Sequence, residues 1–442
     1  MAWSSIFCPS RWSRRLTLFV IASLAIVTLI AVGIGWDSYH LREGRGRAAL
    51  GDSEGAVDQL RLCMGIWAGR FDRHLLAAQV ARLRQDFEEA EAELDACERL
   101  RPQAETLADE RLALRAAEGD VEMAKQRAWV LGQTHPSSAA ALLNAVAAGY
   151  ILNGDVPQAY VNAEEALRYV PDHPEAAYHR GHARQLMGKL DGALADYRLA
   201  AAGLPRRQDI RLRLAQLLSQ LGHPLEAITY LEELRQELPH DPDILLTLAR
   251  LRLDEAEADE AQRLLQQLLS HHRDHPGALW ELATLALRQK QPTEAQGYLR
   301  RLVAQVPGHL DGHVLLAQLA SEAGNPEEAQ KLREWIAKLD REVIRVNRLI
   351  DRATTLVAGT ESPSAEPFTA SPAFASLGRD LAVGLTAQGR DEEAMLWLHR
   401  ALAADPKNAA THRLLADGYQ RLGDPGRARW HAKRAQAPVG ES

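Results

Sequence analysis

Small and apolar positions recur along this chain with a single period. Taking Ala193 in "GKLDGALADY" as a marker, similar turn-then-alanine segments lie at Ala56, Ala90, Ala124, Ala159, Ala227, Ala261, Ala295 and Ala329. Every step is 34 residues except one of 35, between Ala124 and Ala159. After a gap of 65 residues the pattern resumes at Ala394 and Ala428, again 34 apart. Eleven units in register mark a repeat architecture, in which each unit buries its apolar face against its neighbours.

Three features keep step with the marker. Twelve residues before it stands a small residue in ten of eleven units, among them Gly44, Ala78, Gly181, Ala215 and Ala382; Leu112 departs. Five before it stands glycine in eight, including Gly51, Gly119, Gly154, Gly188 and Gly222. Twelve after it stands proline in seven: Pro102, Pro136, Pro171, Pro205, Pro239, Pro307 and Pro406. The glycine suits the left-handed residue that ends a helix. The following Asp52, Asp86, Asp120, Asp155, Asn325 or Asp424 suits the cap of the next one, and the proline suits its end. Each unit is therefore expected to be two helices joined by a tight turn, with small residues letting the axes approach closely.

This pattern resembles the tetratricopeptide repeat (TPR) family: 34 residues, a small residue mid-helix, the marker alanine and a closing proline. The resemblance covers about Asp37 to Ala435. The family's tryptophan and tyrosine are mostly missing, although Tyr419 falls where the tyrosine belongs. The fold it implies is all-α, a right-handed α-solenoid of about eleven helix-turn-helix repeats, here following an N-terminal transmembrane helix.

The ends and the gap in the pattern set the remaining boundaries. "LTLFVIASLAIVTLIAVGIG", Leu16 to Gly35, runs twenty residues without a charge. At ~1.5 Å per residue it is long enough for the ~30 Å hydrocarbon core. The expectation is a basic tail over 1–15 and a membrane anchor, or signal sequence, over 16–36. A main array of nine repeats follows over 37–341. Arg11, Arg14 and Arg15 precede the span without an acidic neighbour, which favours an inner-membrane, single-pass protein with its N-terminus inside and its repeats extracytoplasmic. Past Ala329, Leu332, Ile336, Leu339, Val343, Val346, Ile350, Ala353 and Val357 form a heptad seam. The seam predicts a helical extension over 342–358, packed on its own array or dimerising. "GTESPSAEPFTASP" reads as a flexible linker over 359–372, after which a C-terminal repeat pair, 373–435, is expected to move independently, with a tail over 436–442.

Composition narrows the function classes. Alanine, leucine, arginine and glutamate dominate, and aromatics make up 5%, in keeping with a nearly all-helical protein. A formal charge of −7 over 442 residues argues against a nucleic-acid partner bound through backbone phosphates. Cys8, Cys63 and Cys97 are too few for a disulfide framework. Cys63 and Cys97 fall seven residues after their markers, where other units carry alanine, and read as small core residues.

The candidate chemistry is sparse. "SHHRDHP", Ser270 to Pro276, gathers His271, His272, Asp274 and His275. Register aligns it with other repeat joints, so that His173, Asp241, His275 and His309 occupy one helix-capping place, and no metal site is expected. "GRGRAA", Gly44 to Ala49, matches a dinucleotide fingerprint in letters but lacks the preceding strand that fingerprint needs. No segment is left for a catalytic domain, so no enzyme activity and no cofactor are expected.

The family resemblance implies an inner groove lined by the first helices of the units, binding a protein or peptide. The matching places read Tyr178/His182, Leu212/Gln216, Leu246/Arg250, Trp280/Thr284 and Val314/Gln318. The lysine and asparagine of the family's carboxylate clamp are absent. The candidate partner-binding residues are Tyr178, His182, Gln216, Arg250, Trp280, Thr284 and Gln318. The expected role is a membrane-anchored adaptor or scaffold; envelope assembly, secretion and polysaccharide export are what the resemblance suggests. The alternatives are a homodimer built on the 332–357 seam and a regulatory subunit of an enzyme complex.

Overall fold

A computed structural model describes residues 9–63, 70–358, 372–405 and 408–436. Among these residues there are 22 helices and no strand. The chain forms two compact units, Met1–Arg111 and Leu112–Ser442.

The first unit opens on α1 (Pro9–Ala49), followed by α2 (Ser53–Leu62), α3 (Arg70–Leu83) and α4 (Phe87–Leu100). The later part of α1 packs on α2 and α3, burying Leu41, Ala48, Ala56, Val57, Leu76 and Val80 together. A Cβ on Gly44 would come within 2.6 Å of Leu76 Cδ2, so the small residue is what lets these two helices touch. Cys97 is buried and free; burial raises its thiol to about 11, which makes it an inert filler of the core.

The expected membrane anchor is overturned. No helix among the described residues is long and apolar enough to cross a membrane. Residues 16–36 lie inside the 41-residue α1, which runs on without a break through Asp37, His40, Arg42, Glu43, Arg45 and Arg47. The inner-membrane, single-pass localisation falls with the span.

The second unit runs from the end of α5 (Glu105–Ala117) through α6 (Glu122–Gly132), α7 (Pro136–Leu152) and α8 (Val156–Tyr169). Next come α9 (Pro174–Leu186), α10 (Leu190–Gly203), α11 (Gln208–Gln220) and α12 (Pro224–Glu237), then α13 (Pro242–Asp254), α14 (Ala258–His271), α15 (Pro276–Arg288) and α16 (Pro292–Gln305). From α7 to α18 the helices pack as consecutive antiparallel pairs, and each pair packs on the next. The marker alanines from Ala56 to Ala329 are fully buried, because they sit where two helix axes cross too closely for a larger side chain. The residue five before the marker has positive φ in all eleven turns; eight are glycine, and Gln85, Ala256 and Lys290 adopt the same conformation.

The capping pattern departs from expectation at two places. Asp52, Asp86, Asp155 and Asp424 accept a backbone N–H three residues on. Asp120 does not; Arg115, one turn earlier, takes its carboxylate instead. Pro136 opens α7 rather than following a helix end: it stands in the first turn, where no amide bond is needed. The result is a 17-residue first helix in place of the usual 13, and this is the unit that absorbs the 35-residue step.

The remaining helices are α17 (Leu310–Glu322), α18 (Pro326–Ala358), α19 (Pro372–Ala387), α20 (Asp391–Ala404), α21 (Ala409–Arg421) and α22 (Pro425–Gln436). Helix α18 runs unbroken over 33 residues, Pro326–Ala358. Leu332 packs under α15 to α17, while Val346 is buried against Phe374 and Leu381 of α19. The expected linker lies outside the described residues except for Pro372. The C-terminal helices are not held apart from the array: Arg400 of α20 donates to the carbonyls of Asn153 and Gly154, 3.3 and 3.0 Å away.

Candidate partner-binding site

The seven candidate residues lie on five first helices, α9, α11, α13, α15 and α17. The start of four of these is set by the repeat-joint residue. His173 Nδ1 accepts the Ala176 N–H at 3.2 Å, Asp241 accepts from Ile244 at 3.1 Å, His275 from Ala278 at 3.3 Å and His309 from Gly312 at 3.0 Å. The cap fixes where each helix begins, so residues at matched places face the same way from one repeat to the next.

The histidine-rich joint belongs to this ladder. His275 is a cap, His271 stacks on His240 at 3.8 Å, and Asp274 accepts from Arg301 at 3.1 Å. Among the described residues no group of three or more His, Cys, Asp or Glu side chains is arranged to hold a metal.

The candidates divide into two kinds. Tyr178 and His182 belong to a dense cluster across α9, α10 and α11. Their rings lie 6.2 Å apart, and Tyr197 of α10 lies 5.9 Å from Tyr178. Arg213 of α11 lies near Tyr178 and Tyr197, and the electrostatic influence of Tyr178 holds the guanidinium above its usual pKa. Burial lowers His182 to about 3, with Arg213 adding to the effect, and burial lowers the neighbouring His179 to about 4. Both imidazoles are therefore neutral near pH 7, acting as hydrogen-bonding groups rather than cations.

The other five are separate. Gln216 and Gln318 are exposed and project from α11 and α17. Arg250 donates to Glu281 at 2.8 Å, tying α13 to α15. Trp280 packs on His309 with ring centroids 4.9 Å apart, and Thr284 turns its hydroxyl back to the Glu281 carbonyl at 2.9 Å. The structure thus brings Tyr178 and His182 together and leaves the rest strung along successive helices.

Residues one place away from the candidates complete the face. Asn144 of α7 donates to Glu175 and meets His179 Nδ1, each at 2.8 Å. Arg207 pairs with Asp209 at 2.7 Å and lies 3.6 Å from Glu175. These acids and bases are matched. Arg213 has no carboxylate within 4 Å among the described residues. The repeat register contained the signal that would have found it, since Arg213 directly follows Leu212, a place already assigned to the groove. Its tie to Tyr178 on the neighbouring repeat was visible only in three dimensions.

Residues 222–285 and 286–351 match the tetratricopeptide repeat family. A comparison with curated proteins gave no match. Among solved structures, PilW, described as a widely conserved type IV pilus biogenesis factor, is 22% identical over 44% of this chain and 90% of its own, with a TM-score of 0.40. PilF of Pseudomonas aeruginosa is 20% identical over 46% of this chain and 93% of its own, with a TM-score of 0.42. The anaphase-promoting-complex hetero-tetramer Cut9–Hcn1 is 19% identical over 64% of this chain, with a TM-score of 0.46; the match spans 56% of that chain.

Proposed function

We propose that this chain, whose residues 222–285 and 286–351 match the tetratricopeptide repeat family, works as a non-enzymatic scaffold that holds a protein or peptide segment against its first helices, with the strongest grip at α9 and α11. Repeats of this family indicate protein–protein interaction. What supports a grip at this place is Arg213: a guanidinium on a half-buried surface, near Tyr178 and without a salt bridge among the described residues. A cation of this kind favours a carboxylate or a row of backbone carbonyls on the partner. Tyr178 adds aromatic contact area, and neutral His182 adds a hydrogen-bonding ring. Gln216 and Gln318 extend the same face in amide groups suited to an extended main chain.

The test is recovery of partners from the native host with tagged wild-type protein and with Arg213→Glu. The reversed charge is expected to abolish recovery of the partner while leaving the thermal midpoint within ~2 °C, since the side chain is partly solvated and forms no salt bridge. Unchanged recovery of every wild-type partner would defeat the assignment.

A further inference from the structure

The C-terminal helices bury three imidazoles side by side. His399 of α20, His412 of α21 and His431 of α22 are each under 5% exposed. His412 and His431 meet Nδ1 to Nδ1 at 2.9 Å, a contact in which one ring must donate and the other accept. Protonating both would set two N–H groups against each other. The third ring is fixed through Tyr419. Arg427 donates to the Tyr419 hydroxyl at 3.3 Å, so that hydroxyl gives its own proton to His399 Nε2, 2.8 Å away. His399 is thereby held neutral, with its Nε2 already occupied as an acceptor.

The groups around these rings oppose any added proton. The charges bearing on His399 are Arg427 and His412; those on His431 are His399, His412, Arg434 and Arg427. Arg427 is itself paired with Asp424 at 3.4 Å, and Arg434 lies over Trp430 at 4.0 Å. From α19, Arg379 reaches Thr411 beside His412 at 3.3 Å. Burial first, and these cations second, lower His399 to about 3 and lower His431 further.

The same helices carry the contacts that hold this pair on the array. Arg400 follows His399 on α20 and donates to Asn153 O and Gly154 O at the C-terminal end of α7, where carbonyls lack helical partners. Leu396, one turn earlier, lies against Gly154, where an added Cβ would fall 2.5 Å from Leu396 Cδ1. On α22, Arg434 reaches Glu118 at 3.5 Å.

We propose that α20 to α22 form an acid-released clasp, docked on residues 118 and 153–154 at neutral pH and let go when the His399–His412–His431 cluster must take up protons. The sign follows from linkage. A free imidazole titrates near 6.5, and packed His399 and His431 do not accept protons there. Docking is therefore complete above that range and is lost as pH falls below it, while the unpacked helices gain protons. His399 and His431 each contribute up to about tenfold per pH unit, or roughly a hundredfold toward release between pH 7.5 and 5.5.

Hydrogen–deuterium exchange on the full chain tests this, with intrinsic exchange rates corrected for pH. Peptides from α20 to α22 and from 150–156 should lose protection together by roughly a hundredfold between pH 7.5 and 5.5, while α13 and α14 keep theirs. His399→Gln/His431→Gln should flatten that dependence. Arg400→Ala should expose 150–156 at pH 7.5 and leave α21 and α22 protected. Protection of α20 to α22 that persists to pH 5.5 overturns the proposal. So does loss there that leaves 150–156 protected, or a double variant with wild-type pH dependence. The wild-type titration decides the matter even if the double variant fails to fold.

Discussion

At the scale of single residues, the turn inside each repeat requires one left-handed backbone position. Eight units supply glycine, while Gln85, Ala256 and Lys290 hold φ values of 61°, 62° and 59°. A side chain in that region costs about 1–2 kcal/mol, part of which glycine's extra freedom in the unfolded chain takes back. Lys290→Gly should therefore stabilise the protein by about 1 kcal/mol, read as a higher urea midpoint at unchanged slope; a lower midpoint would show that the lysine makes contacts worth more than its strain. The marker alanine gives the opposite case. Ala261 is fully buried among close-packed helices, and Ala261→Leu should destabilise by about 1–3 kcal/mol through overpacking. Both kinds of position were legible in sequence because the repeat supplies eleven aligned copies of one local environment. The cap ladder of His173, Asp241, His275 and His309 was legible for the same reason. Asp120 was not: Arg115 takes its carboxylate, whereas Asp52, paired with Arg47 at the matched place, still caps its helix. Nor was the Asn144–Glu175–His179 network, whose members are brought together only by stacking two units.

At the scale of elements, α18 shows what periodicity can and cannot tell. The spacing of Leu332, Leu339, Val346 and Ile350 predicts a long helix with one apolar stripe, and the helix is there. The stripe's partner is not written in the stripe. Val346 meets α19 of the same unit, where a Cβ on Gly384 would stand 2.7 Å from Val346 Cγ2. Val346→Ala should cost about 1–2 kcal/mol, and the loss in thermal midpoint should be the same at every protein concentration. A concentration-dependent midpoint would mean that a second copy covers this stripe instead. The apolar run in α1 carries a similar lesson. Local hydropathy suggests a span, but the helix containing it continues into charged residues that pack on α2 and α3. Element length depends on where the helix stops, and neither a cap nor a proline stops this one between Gly35 and Asp37.

At the scale of the whole molecule, the repeats are a means of presenting one row of side chains per unit. Matched caps on α9, α13, α15 and α17 give matched helix starts, and matched starts keep places such as Arg250, Thr284 and Gln318 in line. The face is uneven: Arg250 is bound to Glu281 and Trp280 packs on His309, whereas Arg213 lies near Tyr178 and forms no salt bridge among the described residues. Because His182 and His179 are neutral well below pH 7, raising the pH from 6 to 8 removes no charge from them. Partner affinity should change by less than about twofold over that range at constant ionic strength. A tenfold loss would mean that a protonated imidazole does the binding.

The most direct measurement places a photo-activated cross-linking residue at single sites in living cells. Gln216 and Gln318 sample the first-helix face, while Leu225, 75% exposed on α12, and Arg263, 73% exposed on α14, sample second helices. The account predicts a cross-linked partner from Gln216 and Gln318, lost on adding Arg213→Glu, and none from Leu225 or Arg263. Cross-links to a partner from Leu225 and Arg263 alone would contradict it, placing the interaction on the opposite helices.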